Sequence, residues 1–179
     1  MLLHGLRAPL AIGLLLLSTG AASTQDGCIA STQVEVKEVC VTHRNVTIGA
    51  ADGTQARTSF TLEDLGKVGK LATLDASMYF TRITIVPEAG AVASVSSASA
   101  SISSGDPASS LPTLAATCES HCIDEDGTIA VPAGVESDAV AYVLSGSLAI
   151  GLEVTGELPT TPWAADIAVC MVGSFNASL

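Results

Sequence analysis

The residue types with the widest choice of chemistry lie in one segment of ten residues, 118–127. Two cysteines four positions apart, Cys118 and Cys122, enclose a histidine, and three consecutive acidic residues followed by a glycine end the segment. Thiolate and imidazole groups bind Zn²⁺, and carboxylates at alternate positions before a glycine are typical of Ca²⁺ loops. The segment therefore has three interpretations: a zinc site, a calcium site, or a disulfide loop followed by an acidic turn.

The candidate calcium ligands are Asp124 and Asp126. Gly127 would allow the chain to bend around the ion, as the glycine of an EF-hand loop does. The later glutamate that completes an EF-hand is missing, because position 135 is Val135 and Glu136 comes one residue late. No pair of helices is predicted around the segment. We therefore favour a disulfide loop with an acidic turn, and Ca²⁺ as a possible cofactor at Asp124 and Asp126 is the alternative.

The chain has five cysteines, Cys28, Cys40, Cys118, Cys122 and Cys170. A bridge from Cys118 to Cys122 would close a small loop and remove both thiolates from a zinc site that also includes His121. A bridge from Cys40 to Cys170 would join the first predicted strand to the last, and Cys28 with Cys40 is the competing pair. Because connectivity cannot be deduced from spacing, these alternatives stay open, and two bridges leave one cysteine over.

The candidate catalytic bases are the two histidines that follow residue 23, His43 and His121. A serine hydrolase needs a histidine base held by a carboxylate, so a secreted hydrolase is an alternative function. The sequence contains no G-x-S-x-G nucleophile elbow, no H-E-x-x-H zinc motif and no G-x-x-x-x-G-K-[ST] phosphate loop. We therefore predict that the protein is not an enzyme.

The first 23 residues have the layout of a cleavable secretory signal peptide. Arg7 precedes an apolar run over 10–17, and small residues follow at 20–23. The run is shorter than the ~20 residues that cross a bilayer, and an uncleaved N-terminal anchor is the alternative. Cleavage is predicted after Ala22 or Ser23, which places the mature protein outside the cell, in the periplasm or at the cell surface.

The composition excludes several function classes. Seven Lys and Arg against 18 Asp and Glu give a net charge of −11, so the chain lacks the basic clusters that bind nucleic acid phosphates. Aromatic residues are only 3%, which counts against a stacking platform for sugars or single-stranded nucleic acid. At 48% hydrophobic residues the chain is too apolar for a disordered protein. After the signal, no stretch reaches membrane-spanning length without charges.

Alternating apolar residues predict the strands. Ser147–Leu158 has the clearest period of two, Pro159 and Pro162 end it, and Ala164–Val172 is expected to return beside it as a hairpin. Met78–Val86 is the second clear strand. Weaker strand patterns lie at 34–48, 92–102, 111–117 and 127–131. These strands predict an all-β chain built as a two-sheet antiparallel β-sandwich.

One short helix is predicted near 138–145. Ser137 is a plausible N-cap, Asp138 lies in the first turn and Gly146 fits the position after the helix. The alternative is a strand continuous with the next one. We expect a signal peptide over 1–23 and a single β-sandwich domain over 24–179.

The predicted function is an exported, non-catalytic β-sandwich module with a structural or interaction role. A protein partner would add a strand to an exposed sheet edge such as Val92–Ile102, and a Ca²⁺-stabilised binding module is an alternative. Trp163, at the predicted hairpin bend, is expected to cover one end of the core, with a ligand anchor as its alternative role. Asn45 and Asn176 begin N-glycosylation patterns.

Overall fold

The computed structural model describes residues 31–50, 53–65, 68, 70, 76–88, 91–134 and 138–178. The predicted signal segment, Cys28 and the N-cap candidate Ser137 lie outside the described residues. The described strands are β1 (Ser31–Ala50), β2 (Gln55–Leu62), β3 (Ala76–Pro87), β4 (Ser94–Ser104), β5 (Leu114–Cys118), β6 (Ile129–Pro132), β7 (Leu148–Glu157) and β8 (Trp163–Ser178), and the helix α1 is Val140–Leu144.

All eight strands belong to one antiparallel sheet with the order β5-β4-β7-β2-β1-β8-β3-β6. The strands at the two ends of this order, β5 and β6, contact each other. The sheet therefore curls into a nearly closed, barrel-like form. The all-β antiparallel class is confirmed, but the predicted division into two separate sheets is not confirmed.

The strand that joins the two halves of the sheet is β1. It pairs with β8 along most of its length and with β2 only at its last two residues, Gly49 and Ala50. Its register with β8 is interrupted after Val36 and again after His43. Bulges bend a strand and increase its twist, and a bent strand can leave one sheet and enter another. This is why a sequence that alternates like a sandwich forms one continuous sheet.

β7 has the burial pattern that its sequence predicts. Leu148, Ile150, Leu152 and Val154 are buried, and the residues between them are half-buried. The strand pairs with β2 on one side and with β4 on the other. It therefore lies in the interior of its half of the sheet.

The predicted hairpin between β7 and β8 is wrong. β8 pairs with β1 and β3, whereas β7 pairs with β2 and β4. The segment 158–162 carries the chain from one half of the sheet to the other. Both strands present one apolar face to the same core, so their alternation is alike although they are not neighbours.

β4 is a strand, as predicted for the Ser- and Ala-rich segment, but it is not an edge. Ala98, Ala100 and Ile102 are buried and alternate with half-buried serines. β5 pairs with one side of the strand and β7 with the other. The expectation of an exposed edge is therefore wrong over Ala98–Ile102, where β5 and β7 occupy both sides of the strand. Over Ser94–Ser97 the strand pairs with β7 alone.

The core lies between the two halves of the sheet and consists of aliphatic side chains with a few aromatic ones. No polar or charged residue is buried within the described part of the chain. Among the largest fully buried side chains are Phe80, Ile83, Ile85, Ile102, Ile129, Leu148, Ile150 and Ile167. They come from strands in both halves, so burial of the core holds the curled sheet together.

The helix α1 is short and packs on β3. The Asp138 carboxylate accepts a hydrogen bond from the backbone N–H of Val140 at 2.8 Å, and Gly146 follows the helix with φ of +87°. The Tyr142 ring meets the Phe80 ring edge-on at 5.9 Å between centroids. The helix prediction is confirmed over 140–144, but the helix begins later than predicted. Its N-cap is Ala139 and its first turn contains no acidic residue, so the placement of Asp138 in the first turn is wrong. No helix in the described residues is long and apolar enough to cross a membrane.

Tyr142→Phe is expected to lower the free energy of unfolding at pH 7 by about 1 kcal/mol. The substitution removes the hydrogen bond that the Tyr142 hydroxyl donates to the Pro112 carbonyl at 2.6 Å. Burial raises the pKa of this hydroxyl, so the wild-type fold loses stability as the pH rises above about 10, where unfolded tyrosine ionises first. Urea unfolding at pH 7 and pH 11 measures both effects, and the variant should lose less stability between the two values. An equal loss in both proteins would contradict this role of Tyr142.

Candidate functional site

The chemically rich segment 118–127 folds as a disulfide loop followed by a tight hairpin. Cys118 and Cys122 are disulfide-bonded, so neither sulfur is available as a zinc ligand and the zinc interpretation is wrong. After the bridge, Ile123 pairs with Ile129 across the turn. The N–H of Gly127 donates to the Asp124 carbonyl at 2.9 Å. The favoured sequence interpretation, a pinned loop with an acidic turn, therefore describes this segment.

The acidic turn already uses one of its carboxylates. Asp126 Oδ1 accepts a hydrogen bond from the backbone N–H of Thr128 at 3.0 Å, and this bond lowers the pKa of the Asp126 carboxyl group. In the described residues, neither Asp124 nor Asp126 belongs to a group of three or more Asp, Glu, His or Cys side chains with converging ligand atoms. A Ca²⁺ site at Asp124 and Asp126 therefore stays a prediction, to be tested by the melting temperature in millimolar Ca²⁺.

Gly127→Ala is expected to lower the free energy of unfolding by about 1 kcal/mol. The backbone of Gly127 has φ of +84°, and open space surrounds the position that a Cβ would take, so strain of the left-handed backbone is the whole effect. Gly127→Asn should recover part of the loss, since asparagine tolerates this conformation. Gly134→Ala is the matched control, because Gly134 also has open space but lacks a positive φ. Equal losses at Gly127 and Gly134 in denaturant titrations would refute this explanation.

A single group of metal-ligand residue types is found in the described ranges, and it consists of Glu38, Cys40 and Cys170. Cys40 and Cys170 are disulfide-bonded to each other. The Glu38 carboxylate forms an ion pair with Arg82 and accepts a hydrogen bond from Thr81 Oγ1 at 2.8 Å. This group is therefore a structural disulfide with an adjacent ion pair. The ion pair with Glu38 explains why Arg82 occurs among apolar residues on β3.

The two histidines lie in different parts of the fold. His43 is exposed on β1, where its ring is 5.2 Å from the Phe60 ring. His121 is exposed in the disulfide loop and has φ of +55°. The hydrogen bonds of the described residues link neither imidazole to a serine hydroxyl or a carboxylate. The structure thus does not bring the hydrolase candidates together.

A cavity that the sequence did not predict opens at the end of the sheet where β3 and β7 end and β8 begins. Its volume is about 610 Å³. We call it the Trp163 pocket. Its walls include Glu88, Ala93, Glu157, Pro159, Pro162 and Trp163.

Backbone hydrogen bonds tie together the loops that form this pocket. The N–H of Glu88 donates to the Ala164 carbonyl at 3.1 Å, and the N–H of Ala93 donates to the Glu157 carbonyl at 3.2 Å. The N–H of Leu158 donates to the Gly53 carbonyl at 2.8 Å. Described residues of three connections that are far apart in sequence, β1–β2, β3–β4 and β7–β8, are therefore joined by backbone hydrogen bonds.

Trp163 both covers the core, as its position predicts, and lines the pocket. It is 6% exposed. Its indole Nε1–H has no hydrogen-bond partner, and it is the one buried side-chain nitrogen or oxygen of the described chain in this state. A buried, unpaired donor is costly, so the indole N–H is an unsatisfied polar group at this end of the core.

A second cavity, of about 670 Å³, lies across β2, β7, β4 and β5. Small residues such as Ser99, Ala115 and Gly151 line it, and Arg57 and Glu153 in its wall form an ion pair with 2.8 Å between Nε and Oε2. This surface contains no unpaired buried polar atom in the described residues. The Trp163 pocket is therefore the better candidate for a site.

No protein-family model and no curated protein matches this chain. Among solved structures, Cocksfoot mottle virus is similar with 10% identity, a TM-score of 0.40 and coverage of 95% of this chain and 97% of that chain. Empty heads of Turnip yellow mosaic virus give 17% identity, a TM-score of 0.37 and coverage of 93% and 90%. Mud crab tombus-like virus gives 10% identity, a TM-score of 0.36 and coverage of 99% and 95%. Similarity at this level assigns neither a family nor a function to the chain.

Proposed function

We propose that the protein is an exported, non-catalytic β-module with a structural or interaction role outside the cytosol, either secreted, in the periplasm or at the cell surface. The observation that carries this proposal is the disulfide between Cys40 and Cys170, which are 130 positions apart. It joins the first described strand to the last, at residues that lie opposite each other in the ladder.

The disulfides support the location. Such bonds form and persist in oxidising compartments and are rare in the cytosol. The Cys118–Cys122 bridge closes a second, local loop, so four of the five cysteines are paired. A secretory signal at 1–23 would deliver the chain to such a compartment. The net charge of −11 favours solubility there.

The distribution of polar groups supports a non-catalytic role. Catalytic sites commonly hold a titratable group in a buried, shielded position, where its pKa is shifted. In the described residues the core is apolar throughout, and the charged side chains lie at the surface. The architecture is a disulfide-linked β-sheet whose connecting loops lie at the ends of the sheet.

Strand addition to β1 is not part of this proposal. No described strand pairs with the β2-facing edge of β1 before Gly49, so the backbone groups along this edge face no neighbouring described strand. However, two bulges interrupt the strand, and Glu35, Lys37 and Glu38 are exposed along it. Bulges and charges are the features that block edge-to-edge association. An interaction role is therefore better placed at the loop end of the sheet.

The intact mass of the exported protein, before and after reduction and alkylation, tests this proposal. We expect a mature chain that begins at Ser23 or Thr24 and has four oxidised cysteines. Peptide mapping should recover Cys40 linked to Cys170. A chain that retains residues 1–22 in a reducing compartment, with Cys40 and Cys170 as free thiols, would overturn the proposal.

A further inference from the structure

We infer that Asn45 is a modification site and that the exported protein carries an N-linked oligosaccharide on the side-chain amide of this residue. This inference rests on the proposed function, because sequence patterns of this type become acceptors in chains that leave the cytosol. It goes beyond that function, since it names one residue, the class of sugar donor and the bond that forms.

Both asparagines of the chain, Asn45 and Asn176, begin the acceptor pattern Asn-x-Ser/Thr. Ser and Thr make up about a fifth of the residues, so chance alone would complete both patterns in roughly one chain in twenty. The pattern requires two side chains, the asparagine amide and the hydroxyl two positions later. The sequence thus provides two candidates, and the structure distinguishes them.

The fold presents both required side chains of the first pattern to solvent. Asn45 and Thr47 are exposed, whereas Val46 between them is 6% exposed and packs in the core. The hydrogen bond recorded at Thr47 uses its backbone carbonyl, which accepts from Thr58 Oγ1 at 3.0 Å. This bond does not involve the Thr47 hydroxyl. The amide and the hydroxyl therefore lie together on the outer side of β1, and the buried valine anchors the segment.

The backbone at Asn45 is fixed without help from its carboxamide. Asn45 has φ of +55° and lies at the register break between His43 and Val46, and asparagine adopts this left-handed conformation more readily than most residues do. Its N–H donates to Asp166 Oδ1 at 3.0 Å. In the described residues no hydrogen bond uses the Asn45 carboxamide. A sugar on this amide therefore breaks no contact that holds the fold.

The surroundings of Asn45 leave room for a bulky group. On β8, Ala164 lies opposite Thr47 and another alanine follows it, so the ladder positions beside the acceptor hold small side chains. On its other side, β1 pairs with no described strand before Gly49. An N-linked oligosaccharide is bulky and solubilising, and at Asn45 it lies beside a strand edge that bulges and charges already protect.

Asn176 lies in a more regular backbone. It is paired with Gln33 in the stretch of the β1–β8 ladder where the register is continuous, whereas Asn45 has no partner residue in that ladder. An acceptor amide must enter the active site of a transferase, and bulges direct a side chain away from the regular ladder. We therefore assign the sugar to Asn45.

The modification is a glycosyl transfer that involves no oxidation or reduction. The donor is an oligosaccharide linked to a polyprenyl diphosphate, and Asn45 Nδ2 attacks its anomeric carbon. A carbon–nitrogen bond forms while the bond between the anomeric carbon and the diphosphate oxygen breaks. The polyprenyl diphosphate leaves, and one amide proton passes to a base of the transferase.

The test uses the exported protein from the cells that produce it. The protein is digested and treated with peptide N-glycosidase in heavy-oxygen water, which converts a glycosylated asparagine into an aspartate labelled with heavy oxygen. We expect an intact mass above that of the polypeptide, and labelled aspartate at position 45. An exported, disulfide-bonded protein with unmodified Asn45 would overturn this inference alone and leave the proposed function standing. A chain that retains its first residues, with free thiols and no sugar, would overturn both.

Variants of the full chain, secreted from a eukaryotic cell line, test the assignment to this pattern. Thr47→Val should lose the sugar, because it keeps a good strand former but removes the hydroxyl, and Thr47→Ser should retain the sugar. Asn45→Asp should lose it while tolerating the positive φ. Thr42→Val is the matched control, since Thr42 is exposed on the same strand but lies outside the pattern, and it should retain the sugar.

The results with these variants decide between the outcomes. Export with both disulfides and an unchanged melting temperature shows that each variant is folded. A sugar that persists in Thr47→Val, a sugar that is lost in Thr42→Val, or a sugar found on Asn176 alone would contradict the assignment to Asn45. Loss in Thr47→Val and Asn45→Asp together with retention in Thr47→Ser and Thr42→Val supports it.

Discussion

Replacing Cys40 and Cys170 together by alanine is expected to lower the free energy of unfolding by about 5 kcal/mol. The bridge joins positions that are 130 residues apart, so it removes much of the conformational freedom of the unfolded chain. Cys170 is also buried, in the middle of the region where β8 pairs with β3, and its truncation removes packed atoms. Denaturant unfolding of the oxidised proteins, read by circular dichroism, measures the loss. For a domain of this size such a loss is comparable with the whole stability.

The second bridge provides the matched control. Cys118 and Cys122 are four positions apart, and the same loop-entropy relation gives about 2 kcal/mol for their replacement by alanine. The ratio of the two losses is the quantity of interest, because both variants remove one bridge and two sulfur atoms. A larger loss for the local bridge than for the Cys40–Cys170 bridge would contradict the idea that β1 and β8 are stapled to stabilise the whole sheet.

Phe80→Ala is expected to lower the free energy of unfolding by about 3–5 kcal/mol. Phe80 is 1% exposed and lies on β3, where its ring also meets Tyr142 of α1. The truncation therefore leaves a cavity in the centre of the core and removes the ring contact between Phe80 and Tyr142 that packs α1 on β3. Thermal and denaturant unfolding measure the loss, and hydrogen exchange of the amides in α1 should increase with it.

Phe60→Ala is the control for this substitution. Phe60 lies on β2, is only half-buried, and contacts the exposed His43 ring. We expect a loss of about 1–2 kcal/mol, since less apolar surface returns to water. If both substitutions cost the same, Phe80 would not be the centre of the core that the structure shows.

Local patterns in the sequence determined which segments are strands and which of their faces are buried. The alternation in β7 predicted its buried leucines, isoleucine and valine, because successive side chains of a strand point to opposite faces. Gly146 marked the C-terminal end of α1, because a glycine after the last turn depends only on local backbone conformation. The start was predicted too early, since Asp138 lies before the Ala139 N-cap. The sequence also placed four cysteines where two bridges could form, although Cys28–Cys40 remained open as a competing pair.

Only the tertiary structure decided which strands are neighbours. Alternation shows that a strand has one apolar face but not which strand lies beside it. For this reason the predicted β7–β8 hairpin was wrong, and the predicted edge at β4 was wrong over Ala98–Ile102. The bends of β1, which depend on pairing with β8 across more than a hundred residues, turned two expected sheets into one. The Trp163 pocket likewise needs Glu88, Glu157 and Trp163 brought together from separate loops. A local pattern cannot encode such a site, because long-range packing of the whole sheet brings its residues together.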